Sequence, residues 1–157
     1  MSCITKVGLT GTRVANSKGS VQLPYIHFIC QLEAGTNFRR RGLRPLRRGQ
    51  STVYCSGWWD LSEDEARRFV SEKGQMFLHN TKQQGAFIGG TVTDYEMVRM
   101  DRETIENLKA LGHKSIIEPS NELRVQLTFV SEPGCKGAKW RGTAHAMAYT
   151  SGVCWED

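Results

Sequence analysis

Six arginines between positions 39 and 48 form the densest set of chemically active side chains in this 157-residue sequence. They are Arg39, Arg40, Arg41, Arg44, Arg47 and Arg48. No acidic residue lies between Ala34 and Trp59, and these six charges exceed the net charge of +5 for the whole chain. A guanidinium pairs bidentately with phosphate and stacks on a base, whereas a lysine ammonium acts as a point charge. The run therefore predicts a surface for an acidic partner.

The histidines and cysteines do not form a known catalytic or metal-binding motif. The five cysteines are an odd number without a CxxC pair, which favours reduced structural thiols over a disulfide framework or a zinc ribbon. The sequence also lacks HExxH, Walker and GxSxG patterns, so we predict no catalytic residue, no metal and no cofactor. A less favoured alternative is a zinc site assembled from four dispersed residues, His27, Cys30, Cys55 and His79.

The length and composition predict one domain spanning residues 1–157, with an Arg-rich loop at 35–50. Hydrophobic residues make up 39% and charged residues 24%, without an apolar run of the roughly 20 residues that a bilayer span requires. No basic and then apolar leader follows Met1. We expect a soluble cytoplasmic protein that does not enter a membrane.

The element that must position a binding site is the stretch from Gly74 to Arg99. It reads as a short strand ending in His79, a polar loop NTKQQG, and a longer strand from Ala86 to Val98. The pair Gly89-Gly90 removes two successive side chains, which marks a bulge or a close approach to the backbone. We interpret this hairpin as the floor of a binding pocket.

Strands dominate the rest of the sequence, with two short helices among them. We expect strands over 21–33, 51–57 and 123–129, helices capped by Ser62 and Asp101, a turn at Pro133-Gly134 and a final strand within 140–155. The sequence does not show the strand-helix-strand alternation that would indicate a parallel sheet. The predicted fold class is α+β: a small, twisted, partly closed and mainly antiparallel β-barrel with two or three short helices.

The run from Asp64 to Val98 resembles the middle of a PUA-like domain, particularly the EVE and ASCH branches. The resemblance rests on the helix segment EARRFV, the strand GQMFLH and the glycine-bearing strand AFIGGTVTDYEMV. Gln75 and Leu78 depart from the acid and the tyrosine that EVE sequences usually carry. The Arg-rich loop has no counterpart in those families.

The resemblance implies binding of nucleic acid, DNA or RNA. In these families a single base, often an unusual or modified one, is held in an aromatic pocket. Such a pocket needs rings on the base faces, donors at the base edge and cations on the phosphates. The Arg-rich loop supplies the phosphate contacts. The remaining candidate residues are Trp58, Trp59, Tyr95 and Trp140 for the faces, His79 and Asn80 for the edge, Lys82, and the pair Gly89 and Gly90.

Each candidate also has a purely structural interpretation. Trp58 and Trp59 point to opposite faces of an extended strand, so at least one of them belongs to the core. His79, Tyr95 and Trp140 are of types that commonly pack or bond to backbone, and the arginines are also compatible with a solvated loop.

Two other function classes stay open. The first is an ASCH-like hydrolase acting on a nucleoside or nucleic acid, with candidates Lys82, Asp94, Glu96, His79 and His145. The second is an interaction protein that binds an acidic protein partner through the arginines. The sequence leaves the oligomeric state open.

Overall fold

A six-stranded sheet with two helices forms the part of the chain that the computed structural model describes, residues 23–32, 40–48, 52–113, 119–141 and 150–155. The strand order is β1-β4-β5-β6-β3-β2. The elements are β1 (Tyr25–Ile29), β2 (Leu43–Arg47), β3 (Val53–Trp59), α1 (Glu63–Ser71), β4 (Gln75–His79), β5 (Ile88–Arg99), α2 (Arg102–Ala110), β6 (Leu123–Ser131) and a 3-10 helix, Pro133–Cys135. The predicted α+β class is confirmed.

The sheet is mixed because β1 and β4 pair in parallel, with His27 opposite Phe77 and Ile29 opposite His79. All the other named pairs are antiparallel, including the predicted hairpin, in which Leu78 of β4 lies opposite Ile88 of β5. The expectation of a mainly antiparallel sheet therefore holds for four of the five strand pairs in the described residues, and β1 with β4 is the exception. The connection from β1 to β4 contains β2, β3 and α1. A βαβ unit has a single crossover helix between its two parallel strands, so this connection does not show the βαβ pattern in the sequence.

The two ends of the strand order approach each other, but the sheet is not closed in the described residues. An isolated antiparallel bridge joins Leu32, after β1, to Arg40, before β2. The amide of Arg41 also donates to the carbonyl of Gln31 at 2.8 Å. This contact is a link between two corners of the sheet rather than a continuous ladder of hydrogen bonds.

The main hydrophobic core lies between one face of the sheet and α1. Ile26, Phe28, Met76 and Leu78 form this core together with Phe69 of α1, and all five are at most 1% exposed. The helix begins as its sequence predicts. Ser62 Oγ accepts from the Glu65 amide, and Glu65 Oε1 accepts from the Ser62 amide, which together satisfy two otherwise unpaired donors.

Residues Leu43–Arg47 form an edge strand, although the sequence analysis assigned them to a loop. The strand is antiparallel to β3, with Arg44 opposite Cys55 and an irregularity between Pro45 and Arg47. Charged residues and a proline are characteristic of edge strands, because they protect the free edge and require no second ladder of hydrogen bonds. The rest of the predicted loop that the structure describes lies at Arg40–Gly42 and Arg48.

The C-terminal segment covers the outer edge of β1. The amide and carbonyl of Tyr25 exchange hydrogen bonds with Cys154, and the Ser151 amide donates to the His27 carbonyl at 2.9 Å. The predicted final strand therefore corresponds in part to these bridges, while residues 142–149 lie outside the described part of the chain.

The second helix also begins at its predicted residue, because Asp101 accepts from the Thr104 amide at 2.9 Å. Its buried stripe is short. Ile105 is buried, whereas Leu111 is 58% exposed, since Leu111 caps the helix after its last turn. Within the described ranges, no helix combines the length and the apolar character needed to cross a bilayer.

Candidate functional site

The candidate site lies on the sheet face opposite α1. Side chains alternate between the two faces of a strand, so the residues between the core positions of β1 and β4 point to this second face. They include Tyr25 and His27 of β1 and Phe77 and His79 of β4, placed side by side by the parallel register. His27 and His79 are both 0% exposed. This face therefore contains two fully buried imidazoles.

Hydrogen bonds fix the order of the protons on the two histidines. Nδ1 of His79 lies 2.9 Å from the carbonyl oxygen of Gln84, which can only accept, so this nitrogen donates. Nε2 of the neutral His79 ring is then an acceptor, and it lies 2.7 Å from Nδ1 of His27, which must donate. Both rings are therefore in the Nδ1-protonated tautomer, and Nε2 of His27 carries a lone pair.

Aromatic rings enclose this pair of histidines. The His27 ring stacks on Phe77 with an interplanar angle of 17° and a centroid distance of 4.7 Å. The Trp140 ring contacts both histidines, with centroid distances of 5.3 Å to His27 and 5.0 Å to His79. Trp140 is itself half-buried, so its side chain contacts the histidines and is also partly exposed to solvent.

The environment keeps both imidazoles uncharged at neutral pH. Burial is the largest cause that lowers the pKa of His27 to about 3, and the nearby His79 and Arg141 lower it further. Burial also lowers the pKa of His79, and its hydrogen bond to the Gln84 carbonyl partly opposes this effect. Because the rings are neutral, they retain the acceptor nitrogens that the tautomers assign.

Two exposed cations lie over the aromatic rings of this face. Lys82 Nζ, in the loop between β4 and β5, lies 5.3 Å from the centroid of the Trp140 ring. The Arg141 guanidinium carbon lies 3.9 Å from the centroid of Tyr25 and 5.3 Å from that of Phe77. Both contacts have cation–π geometry. The surface above the histidines is therefore aromatic and positively charged, and we refer to Lys82, Trp140 and Arg141 as the aromatic-cationic patch.

The structure brings His79, Lys82 and Trp140 together but places two other candidate rings on the opposite face. Trp59 stacks on the core residue Phe28 at a centroid distance of 3.9 Å. Tyr95 packs against the same core, and its hydroxyl donates to Glu63 of α1 at 3.0 Å. The expectation that at least one of the paired tryptophans belongs to the core is confirmed.

The other tryptophan of that pair, Trp58, is half-buried. Its ring meets the buried His113 edge to face, with a centroid distance of 5.3 Å. Asn80, expected at a base edge, is held by two side chains: its Oδ1 accepts from Arg40 at 2.8 Å, and its Nδ2 donates to Gln84 at 3.2 Å.

The described arginines of the predicted phosphate-binding run differ in their surroundings. Arg40 donates to the Cys30 carbonyl and to Asn80, and it lies over the Phe87 ring at 4.2 Å, so it ties the ends of β1, β4 and β5 together. Arg44 is half-buried beside Cys55. Burial raises the pKa of the Cys55 thiol, and the nearby Arg44 offsets part of this rise. The exposed members are Arg41, Arg47 and Arg48, and Arg39 lies outside the described residues.

Gly89 and Gly90 lack side chains at positions where other atoms of the protein come close to their backbone. A Cβ atom on Gly89 would lie 2.6 Å from the Met76 carbonyl oxygen and 3.0 Å from Cβ of Cys135. On Gly90 it would lie 1.8 Å from the carbonyl oxygen of Val130. The close approach that the sequence predicts is therefore present, and it is made by neighbouring strands and by the 3-10 helix.

The residues considered for zinc are not grouped in one place. His27 and His79 are bonded directly to each other, whereas Cys30 lies in the core on the other face and its thiol donates to the Arg41 carbonyl at 3.4 Å. No cluster of three or more metal-binding side chains is found across the described ranges. Among the residues considered for catalysis, Asp94 and Glu96 are exposed on β5, and His145 lies outside the described residues.

Four contributors to this face were not predicted as site residues from the sequence. His27 was named only in the zinc alternative, and Tyr25, Phe77 and Arg141 were not named as candidates. The signal that was available is the alternation Tyr25, His27, Ile29, which is the second stripe of a strand whose first stripe is plainly apolar. A depression of 220 Å³, lined by residues including Thr52, Glu132 and Lys136, does not include the histidines, rings or cations named above.

Comparison of the chain with family models, with curated proteins and with solved structures found no match.

Proposed function

We propose that this protein binds nucleic acid through the aromatic-cationic patch. The observation that carries the proposal is the position of Trp140: its ring contacts both buried histidines and lies next to exposed cations, Lys82 and Arg141. A ring supported in this way keeps its orientation when a planar group stacks on it. Stacking of one base on an aromatic side chain contributes roughly 1–3 kcal/mol.

A single strand suits this patch better than a duplex, because its bases are free to leave their neighbours and stack on protein rings. Lys82 is exposed and has a flexible stem, so its ammonium can leave the ring and contact the adjoining phosphate. Arg141 supplies a second phosphate contact with a geometry that favours bidentate binding.

The exposed arginines on and beside β2 add further candidate contacts to phosphates. Arg41, Arg47 and Arg48 are free of the core packing that involves Arg40 and Arg44, and they form a second set of candidate phosphate contacts. The part of the predicted Arg-rich run that serves phosphates is therefore its exposed residues.

We also propose that the chain is a single cytoplasmic PUA-like domain of the EVE or ASCH type with a partly closed barrel. The order of α1, β4, polar loop and β5 supports this assignment, as it follows the segments that carry the resemblance. The bridge between Leu32 and Arg40 also supports it, because it brings the two edges of the sheet toward each other.

The experiment that tests the nucleic-acid proposal is a titration of fluorescently labelled mixed-sequence DNA and RNA octamers at several salt concentrations. For single strands, the slope of log affinity against log salt changes by about 0.7 for each phosphate contact. We expect Lys82→Ala and Arg141→Ala each to flatten this slope. Arg67→Ala is the matched control, since Arg67 is an exposed cation of α1, on the other face, paired with Glu63 and Asp64. Equal slopes for all three variants would reject the proposal.

A second candidate function is binding of an acidic protein partner through the exposed arginines of the Arg-rich run. The exposed arginines on and after the edge strand β2 favour it, because an edge strand presents both charge and unpaired backbone groups. In that case the octamers would not bind, and an acidic peptide would bind in a manner that depends on Arg47 and Arg48.

The hydrolase alternative receives less support from this geometry. Both nitrogens of His79 are bonded to protein partners, and the side chain of Asp94 accepts from the amide of Tyr95 at 2.8 Å. These groups are therefore engaged in local structure.

A further inference from the structure

The buried ring of His27 has one nitrogen that the described protein does not satisfy. Its Nδ1 donates to His79, but its Nε2 has no hydrogen-bond partner within the described residues. The side chain is 0% exposed. A buried polar atom without a partner costs roughly 1–3 kcal/mol, so such atoms are rare in stable proteins and call for an explanation.

The tautomers of the two histidines fix the kind of group that this nitrogen requires. The Gln84 carbonyl makes His79 a donor through Nδ1 and an acceptor through Nε2, which in turn makes His27 a donor through Nδ1. Nε2 of His27 is therefore an acceptor, and its partner must bring an N–H or an O–H. The neutral state of the ring preserves this lone pair at physiological pH.

The rings around His27 limit the directions from which a partner can reach this nitrogen. In an imidazole ring Nε2 points away from the bond that Nδ1 makes, so it points away from His79. Phe77 covers one face of the ring, and the other neighbours are Tyr25 and Trp140, at centroid distances of 5.6 Å and 5.3 Å. Tyr25 and Trp140 are half-buried and Arg141 is exposed, so these surface side chains form the cover.

We propose that Nε2 of His27 accepts a hydrogen bond from an imino or exocyclic amino N–H of a nucleobase that enters beneath the Trp140 side chain. This inference rests on the proposed function and adds to it the atom that reads the base edge. The base meets His27 in the plane of the imidazole ring, because Phe77 is stacked on the ring face. In this arrangement Tyr25 and Arg141 are the part of the cover that the base displaces, while the Trp140 ring keeps its orientation and stacks on the base.

The direct experiment follows the imidazole nitrogens of the intact protein by ¹⁵N NMR while a mixed-sequence octamer is added. In the free protein we expect a non-protonated Nε2 signal for His27. Addition of the octamer should shift this signal toward that of a hydrogen-bonded acceptor. An octamer with the same backbone and abasic sugars supplies phosphates without N–H groups, and it should leave the signal unchanged.

A variant gives an independent measurement. His27→Phe keeps a ring for stacking on Phe77 and removes both nitrogens, so we expect it to bind the octamer about tenfold more weakly while its affinity for the abasic octamer is unchanged. The NMR experiment does not need this variant and decides the question if the variant does not fold.

The outcomes separate the inference from the proposed function. If the octamer binds and neither the Nε2 signal nor the affinity of the His27→Phe variant changes, the inference is wrong and the proposed function stands. If the abasic octamer shifts the signal equally, the nitrogen responds to phosphate binding and the inference is also wrong. If no octamer binds the wild-type protein, both fail.

Discussion

Nδ1 of His27 donates a hydrogen bond of 2.7 Å to Nε2 of His79 in the interior of the protein. The two histidines belong to parallel neighbouring strands and are separated by 52 positions in the chain. Their proton order is set by the carbonyl of Gln84, and their cover is Trp140. This arrangement links the stability of the fold to the surface that we propose binds nucleic acid.

The first prediction concerns pH. Both histidines have lower pKa values in the folded than in the unfolded protein, so the unfolded chain binds more protons as the pH falls below about 6.5. The free energy of unfolding should be constant above that pH and decrease below it, by up to about 1.4 kcal/mol per pH unit for each histidine. Urea unfolding between pH 7.5 and 4.5, a range chosen around the ordinary histidine pKa of about 6.5, measures this decrease.

The carboxylates provide a check on this interpretation. The pKa of Asp101 is lowered by its hydrogen bonds to Thr104, so its contribution is lost only at about pH 4 and below. In the His27→Phe variant, the free energy of unfolding should depend less on pH between about pH 6.5 and 5. This range begins at the ordinary histidine pKa of about 6.5, below which histidines of the unfolded chain bind protons. Equal profiles for the variant and the wild type would contradict the assignment to the histidine pair.

The second prediction is that His79→Ala destabilises the protein. The substitution removes a fully buried ring and leaves the His27 Nδ1–H group without its acceptor, so we expect a loss of about 2–4 kcal/mol. Gln83→Ala, an exposed residue in the adjoining loop, is the control and should change stability by less than about 0.5 kcal/mol. Thermal and urea unfolding of both variants measure the difference. A His79→Ala protein as stable as the control would show that the buried pair does not support the fold.

The third prediction separates the structural from the exposed arginines. Arg40→Ala removes hydrogen bonds to the Cys30 carbonyl and to Asn80 as well as the contact with Phe87, and should cost about 1–3 kcal/mol of stability. The exposed Arg41 contacts Gln31 and Cys30 through its backbone amide and carbonyl, so alanine at this position should change stability by less than about 0.5 kcal/mol. Urea unfolding distinguishes them, and equal losses for the two variants would refute a structural role for the Arg40 side chain.

The fourth prediction concerns the close approach of β5 and β6. A methyl group on Gly90 would collide with the backbone of Val130, so Gly90→Ala should destabilise the protein by about 3 kcal/mol or more. Gly134 has no atom within 4 Å of the corresponding position, so Gly134→Ala should be nearly neutral. Comparing the unfolding free energies of the two variants tests whether the twin glycines serve strand packing.

The sequence predicts the elements of this fold better than their arrangement. The Ser62–Glu65 capping box, the Asp101 cap and the alternation in β6 are local signals, and each appears in the structure where it is expected. The parallel pairing of β1 with β4 depends on contacts between residues about 50 positions apart, which local periodicity does not encode. The edge strand β2 was missed because its charges and proline resemble those of a loop.

The candidate site was predicted in part for the same reason. His79, Lys82 and Trp140 were identified by residue type, and the structure places them together. Tyr95 and Trp59 were assigned to the same pocket, but the alternation of side chains and the strand register place them on the face that packs against α1. His27 was missed as a site residue because both faces of β1 are buried, whereas the sequence shows an apolar stripe on only one of them.

The most direct test of the central claim is the affinity of the Trp140→Ala protein for the mixed-sequence octamer at fixed salt, compared with that of the wild type and the Arg67→Ala control. Loss of a stacking platform should weaken binding by about 1–3 kcal/mol, or roughly 5-fold to 150-fold. The Arg67→Ala protein should bind like the wild type, and circular dichroism should show that all three proteins are folded. A folded Trp140→Ala protein that binds the octamer as tightly as the wild type would contradict the account.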